Sequence, residues 1–275
     1  MRDDLLPVLA CPVCTEPLAR TAPGQAGCRN GHRYDEAKQG HLTLLPAKRR
    51  ALTADTPEMV DARLRFLGRG HYAPVERALT IVVADATAPG VVLDVGSGPG
   101  TYLAHALDGT THGGAAGRLG VALDLSAVAI RRAARIHAHV GAVVGDVTER
   151  LPVVDHAAAV VLDVFAPRNQ HEYARVLHPG GVLVVVTPRV GHLAELAAAT
   201  ISVDPEKGRR LHDSLTPAFT PRSTEDLTWT MELTAEDVHD VVHMGPSHHH
   251  VAADTVFTPE TVTAAVTVST WTPAR

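Results

Sequence analysis

Cysteine, lysine and aromatic residues are scarce in this 275-residue chain, and long apolar runs are missing. Runs such as Val182-Leu183-Val184-Val185-Val186 fall far short of the roughly 20 apolar residues that cross a bilayer, so no transmembrane segment is expected. Nothing at the N-terminus resembles a signal peptide, and the expected location is the cytoplasm. Lysine occurs three times against 22 arginines, with a net charge of -5. That balance argues against a protein that coats nucleic acid indiscriminately. The three cysteines all fall within the first 28 residues. A disulfide would strand one thiol, and no oxidising compartment is indicated.

What those cysteines do form is a pattern: Cys11-Pro-Val-Cys14, then Cys28-Arg-Asn-Gly-His32. Two close ligand pairs joined by a loop can close around one zinc ion at little strain. Buried thiols without a metal are the plainer reading, but those scatter along a chain, whereas these sit at ligand spacing. Four protein ligands leave no open position, so the zinc is structural.

Charge is uneven. Residues 1–80 carry 12 Lys/Arg against 9 Asp/Glu, a net of +3, and residues 81–275 carry 13 against 21, a net of -8. The basic run Lys48-Arg49-Arg50 lies beside the zinc module, where a polyanion would meet it or where it would serve as a solvated linker. The expected organisation is a zinc-binding module over 1–46, a linker and helices over 47–85, and a large domain over 86–275. Thr56-Pro57 and Pro74 mark two helix starts. From Val91 onward, apolar strands alternate with helical segments, the pattern of a doubly wound, mostly parallel α/β sheet. Strands are expected at 91–95, 119–123, 142–144, 157–162 and 182–187, with helices at about 101–107, 126–137 and 171–176. The Pro/Gly turn 177–181 should launch the fifth strand. Residues 202–255 read as a substrate-recognition insertion, with a helix capped by Thr234 and a His248-His249-His250 run read as a solvated turn. Val262–Trp271 reads as an antiparallel edge strand.

The chemistry-bearing segment is Leu93-Asp94-Val95-Gly96-Ser97-Gly98-Pro99-Gly100, which closes the first strand of that sheet. Its glycines permit a tight turn and close ligand approach at the carboxyl end of a strand. The spacing is Asp-x-Gly-x-Gly-x-Gly and departs from the dinucleotide fingerprint, which disfavours an NAD oxidoreductase. It resembles motif I of the Rossmann-like class I methyltransferases, whose cofactor is S-adenosylmethionine. Asp124 ends the second strand, where a carboxylate can accept both ribose hydroxyls. Asp146 ends the third and can accept from an adenine amino group. Either could instead be an ordinary capping aspartate, but three at successive strand ends favour a site.

The zinc pattern, Gly31-His-Arg-Tyr-Asp-Glu-Ala-Lys-Gln-Gly-His-Leu-Thr-Leu-Leu45, Gly70-His71-Tyr72, Phe165-Ala-Pro-Arg-Asn169, Arg175-Val-Leu-His-Pro-Gly-Gly181, Thr187-Pro188, His192-Leu-Ala-Glu-Leu196 and Met244-Gly-Pro-Ser247 occur in one chain. Together they resemble the 23S ribosomal RNA guanine-N1 methyltransferases of the RlmA/TlrB type, which include tylosin-resistance enzymes. The resemblance spans essentially the whole chain. It implies a cytoplasmic enzyme acting on one guanine of a 23S rRNA hairpin near the peptide exit tunnel, and dimeric members occur. It further implies zinc on Cys11, Cys14, Cys28 and His32, and cofactor contacts at Tyr72, Gly100, Thr101 and His192. A general base is sought at the end of the fourth strand, where Asp163 is the only carboxylate. Replacing Cys28 is expected to cost RNA binding before cofactor binding. The rival readings are a small-molecule methyltransferase with a structural zinc module and a non-catalytic RNA-binding adaptor.

Overall fold

The first 45 residues hold too little apolar surface for a core of their own, and they share one with the large sheet. In the computed structural model of the chain, the described residues are 1–45, 54–111, 117–197, 199–200, 204–245, 247–248, 251 and 255–274. Lys48-Arg49-Arg50, most of the expected linker, Pro246, and His249 and His250 lie outside them. After a 3-10 turn at Asp3–Val8, β1 (Ala19–Ala22), β2 (Gln25–Gly27) and β3 (Arg33–Asp35) make a small antiparallel sheet. β4 (Leu42–Thr43) leaves it and pairs in parallel with the main sheet, Leu42 opposite Val143 and Thr43 opposite Val144. Leu5, Leu9, Leu18 and Leu42 are buried in one cluster with Leu93, Leu123 and Val143.

Thr56 accepts the Met59 N–H at 3.3 Å, and Pro57 takes the first helical position, where no N–H is needed. These residues start α1 (Pro57–Gly68). Gly70, at φ +76°, turns the chain into α2 (Ala73–Asp85). The alternation expected from the sequence follows: β5 (Val91–Val95), α3 (Thr101–Thr111), β6 (Gly120–Asp124), α4 (Ala127–Ala133), β7 (Val140–Val144), β8 (Ala158–Val164), α5 (Gln170–Val176) and β9 (Leu177–Pro188). α4 and β9 depart furthest from the expected extents, and α3 runs four residues past its expected end, to Thr111. α4 stops at Ala133, after which the bonds tighten to Arg135 N–H on the Arg132 carbonyl and Ile136 N–H on the Ala133 carbonyl. The Pro/Gly turn is a bulge within a strand: Leu177 pairs with Ala158, residues 178–181 loop out, and Val182 pairs with Val160.

Past β9 come α6 (Lys207–Leu215), β10 (Phe219–Leu233), α7 (Ala235–His243) and β11 (Glu260–Pro273). The full order is β10-β11-β9-β8-β5-β6-β7-β4. This corrects the reading of Val262–Trp271 as an edge strand, since β11 is antiparallel to both β9 and β10 and lies between them. The edge is β10, which sits inside the segment read as an insertion. Residues 220–226 are polar and exposed, but Leu227, Trp229, Met231 and Leu233 alternate with Thr228, Thr230 and Glu232, a period-2 strand signal that the insertion reading passed over. α7 begins with the expected cap, where Thr234 and Asp237 form a reciprocal box. Helices α1, α2, α3 and α7 cover one face of the sheet. The other is covered by α5, α6 and the N-terminal segment. No described helix is long and apolar enough to cross a membrane.

Leu42 is fully buried where module and sheet meet. Leu42→Ala should therefore cost about 2–5 kcal/mol and lower the melting temperature of the whole chain in one transition. Calorimetry that resolved two separate transitions would show that module and sheet unfold independently.

Candidate cofactor cleft and metal centre

The residues of the zinc pattern converge. Cys11, Cys14 and Cys28 Sγ stand 3.5, 3.5 and 3.4 Å from His32 Nδ1, and Cys14 Sγ is 3.6 Å from Cys28 Sγ. A tetrahedral zinc ion with ordinary Zn–S and Zn–N bonds needs edges of about 3.5 Å between S and N and about 3.8 Å between S and S. The four residues thus fit zinc, with His32 binding through Nδ1. Thr15, at φ +63°, folds the first knuckle back so that its N–H donates to the Cys11 carbonyl at 2.8 Å. The Tyr34 hydroxyl lies 3.0 Å from Cys11 Sγ, placed to donate to a thiolate and orient it. The backbone N–H of Glu16, foremost, draws the Cys14 thiol down to about 6, toward the form that binds metal.

Three arginines of the module are paired with carboxylates, while Arg33 donates to the Cys28 and His32 carbonyls. Arg2 pairs with Asp4 at 2.6 Å, Arg20 with Asp3 and Glu36 at 2.8 and 2.9 Å, and Arg29 with Glu16 at 2.6 Å. The module is fastened to the large domain. Ala10 N–H donates to the Pro152 carbonyl at 3.0 Å and Val154 N–H to the Val8 carbonyl at 2.9 Å.

At the carboxyl ends of β5, β6, β7 and β8 opens a cleft of about 1100 Å³. Asp94, Asp124 and Asp146 all border it, as do Gly96, Gly98, Thr101, Tyr72 and His192. Gly100 does not. At φ +81°, it brings the loop against α4, where a Cβ would stand 3.2 Å from that of Ala133. Gly96 and Gly98 also have positive φ, +75° and +53°, and their missing Cβ atoms let Ala166 and the Arg63 guanidinium lie against the loop. Asp124 holds this turn in place, Oδ2 accepting the Gly98 N–H at 2.8 Å and Oδ1 the Ser126 N–H at 2.7 Å. Ser126 itself caps α4, accepting the Ala129 N–H at 3.3 Å. Asp146 closes its own turn, Oδ1 accepting the Thr148 N–H and hydroxyl at 2.9 and 2.6 Å.

Asp94 is 1% exposed, and its Oδ2 has no hydrogen-bond partner among the described residues. Burial, and then the charges of Asp124 and Asp163, raises its carboxyl to about 8. A buried acceptor at the mouth of a glycine turn suits the ammonium group of the amino-acid end of S-adenosylmethionine, and the cleft has room for that cofactor beside a base.

His192 and Tyr72 meet on the far wall. His192 Nδ1 accepts the Ala265 N–H at 3.1 Å, which places the proton of the neutral ring on Nε2, 3.3 Å from the Tyr72 hydroxyl. Tyr72 is 2% exposed and packs edge-on against Phe66 and Trp229. Asp163, sought as a general base, is not in the cleft. It is fully buried behind β8, with the Tyr173 hydroxyl donating to its Oδ2 at 2.8 Å. Strand alternation points it at α5, the side opposite Leu162 and Val164.

Two cleft residues escaped the sequence reading. Arg63 on α1 lies over the glycine turn, paired with Asp55 at 2.7 Å, and Phe165 was legible only as part of a motif. Nothing in the helical pattern distinguishes Arg63 from its neighbours Arg65 and Arg69, which serve instead as α7 anchors through Asp240 and Asp237.

Sheet order, strand-end carboxylates and glycine turn define a class I methyltransferase fold carrying a zinc module. A solved chain from a Haloferax volcanii complex of a methyltransferase with its activator has the same fold, at a TM-score of 0.51 and 17% identity over 82% of this chain and 100% of that one. A zinc-ribbon family described as "RlmA, N-terminal" matches residues 9–51. The chain is 42% identical over 302 aligned residues to a Micromonospora griseorubida protein named as a 23S rRNA (guanine-N(1)-)-methyltransferase, covering 99% of this chain and 100% of the relative. It is also 42% identical over 261 residues to the 23S rRNA (guanine(748)-N(1))-methyltransferase of Streptomyces fradiae, covering 92% of this chain and 90% of that one. The chain belongs to the 23S rRNA guanine-N1 methyltransferase family.

The raised Asp94 carboxyl makes a pH prediction. Between its ordinary value near 4 and about 8, the folded protein keeps a proton that the unfolded chain releases, so stability falls as pH rises through that window. Asp94→Asn removes the penalty. Without cofactor, the variant should melt higher than wild type at pH 8.5, and the gap should narrow toward pH 5. Thermal melts showing the same gap at both pH values would reject the assignment.

Proposed function

We propose that the protein transfers the methyl group of S-adenosylmethionine to N1 of a guanine in a 23S rRNA hairpin near the peptide exit tunnel. Resistance to tylosin-type macrolides is the proposed consequence. The observation that carries this reading is the convergence of Asp94, Asp124 and Asp146 on one cleft, in a chain 42% identical to two relatives named for that reaction. The reading carries with it a cytoplasmic location and, as in dimeric members of the family, a homodimer.

In this reading Asp124 spends one lone pair of each oxygen on the Gly98 and Ser126 N–H groups and keeps others for the ribose hydroxyls. Asp146 faces the adenine amino group. Asp94 faces the amino-acid end, with Tyr72, Gly100, Thr101 and His192 as further cofactor contacts. Gly100 acts indirectly, by fixing the turn. Zinc held by Cys11, Cys14, Cys28 and His32 supplies cross-linking of the module and no chemistry at the methyl group. The bound cofactor supplies an electrophilic methyl group. What the protein contributes is in-line positioning of the acceptor nitrogen. Guanine N1 carries a proton and normally pairs, so the base must leave its pair and lose that proton to water as the nitrogen attacks.

A small-molecule acceptor is the second reading. Incorporation of labelled methyl into naked 23S rRNA separates the two. A vestigial, non-catalytic adaptor is disfavoured by the intact glycine turn and its three carboxylates. Primer extension on 23S rRNA from cells with and without the protein should give a new stop one nucleotide before the modified guanine, because N1 methylation blocks pairing. The same cells should tolerate several-fold more tylosin. Absence of any stop in that hairpin would overturn the proposed target.

A further inference from the structure

Phe165 is a large apolar side chain that the cofactor reading leaves unused. It follows β8, lines the cleft and is 40% exposed. Its backbone is left-handed, with φ of +56°. That conformation is unfavourable for a bulky residue and persists only where the surroundings enforce it. They do so here. Phe165 N–H donates to the Val186 carbonyl at 3.1 Å, the Tyr173 hydroxyl lies 3.1 Å from the Pro167 carbonyl, and Asn169 Nδ2 donates to the Glu149 carbonyl at 2.8 Å. Ala166 presses on the glycine turn so closely that a Cβ at Gly96 would stand 2.5 Å from its own.

The strain therefore holds an aromatic ring out in the cleft, beside the turn that cradles the cofactor. The ring is 6.1 Å from Tyr72 and 6.3 Å from His192, with the His192 plane only 24° from its own. Arg168, three residues on, lines the same cleft, and an arginine can contact a nucleic-acid phosphate.

We infer that Phe165 is the platform on which the extruded guanine stacks, setting the height of N1 relative to the methyl group. This inference rests on the reading of the protein as an RNA guanine methyltransferase. A ring so placed contributes through its π-face, and base–aromatic stacking is worth roughly a factor of ten to a hundred. Leucine at this position keeps apolar bulk but has no such face, whereas tyrosine keeps it.

The test uses the full-length, zinc-loaded protein with 23S rRNA transcribed in vitro and labelled S-adenosylmethionine, comparing wild type, Phe165→Leu and Phe165→Tyr. Single-turnover methyl transfer at saturating cofactor should fall at least fivefold in Phe165→Leu and stay within threefold of wild type in Phe165→Tyr. S-adenosylmethionine affinity, read by equilibrium dialysis without RNA, should change less than twofold in both. A loss under fivefold in Phe165→Leu overturns the inference. So does equal impairment of the two variants, which would make the role one of packing, or a matching loss of cofactor affinity, which would assign the ring to the cofactor. If the wild-type enzyme methylates no RNA, the activity itself falls, and the stacking role with it.

Discussion

Two backbone N–H groups, from Gly98 and Ser126, meet on the single carboxylate of Asp124, and the cleft takes its shape from that meeting. One N–H belongs to the turn leaving β5 and the other to the turn leaving β6, so adjacent strand ends are locked together by one side chain. The start of α3 and the cap of α4 are fixed by the same lock. Its electrostatics are balanced between burial, the larger influence, which pushes the Asp124 carboxyl up, and the two N–H groups, which pull it down. A neighbouring strand end carries Asp94, whose Oδ2 has no partner among the described residues, and burial, then the charges of Asp124 and Asp163, raises its carboxyl to about 8. Two aspartates at equivalent strand ends thus have different characters, one a brace for the turn and the other an acceptor awaiting a partner.

The zinc module is best understood as part of the same construction. It supplies β4 to the sheet and fills the face that another helix would otherwise cover. Residues 146–154 connect it to the cleft, since Asp146, Val147 and Thr148 line the cavity while Pro152 and Val154 bond to the module. Among the described residues of the module, Arg2, Arg20 and Arg29 are paired with neighbouring carboxylates. Loss of Cys28 would thus loosen the loop holding Asp146 as well as any surface offered to RNA.

The legible parts of the molecule were those whose signals are local. Zinc ligands must be close in sequence to close a knuckle, glycines must sit where φ is positive, and buried parallel strands must be continuously apolar; all three show in a single chain. β10 was legible only in its second half, where Leu227, Trp229, Met231 and Leu233 alternate with polar residues, because the exposed first half is under no pressure to alternate. Asp163 misled for a related reason. Sequence gives its position at a strand end but not which side of the pleat faces the cleft, and one residue of offset sends a carboxylate to Tyr173 instead. Arg63 depends on α1 crossing above the turn, a tertiary fact that no spacing encodes. Phe165 needed its backbone angle to be seen as more than a loop aromatic.

The interior position of β11 bears on how the molecule assembles. Glu260–Pro273 must slot between β9 and β10, pairing along most of the length of β10 on one side and with residues 183–188 on the other. Until it does, β9 and β10 each offer a row of unpaired backbone groups, and β10 has no partner at all. Closing this gap requires contacts across long stretches of chain, which makes it a slow event in folding. The intermediate that precedes it has two adhesive edges and is the species most prone to self-association. The sheet that carries the cleft is therefore complete only after its most distant strand has been threaded into place.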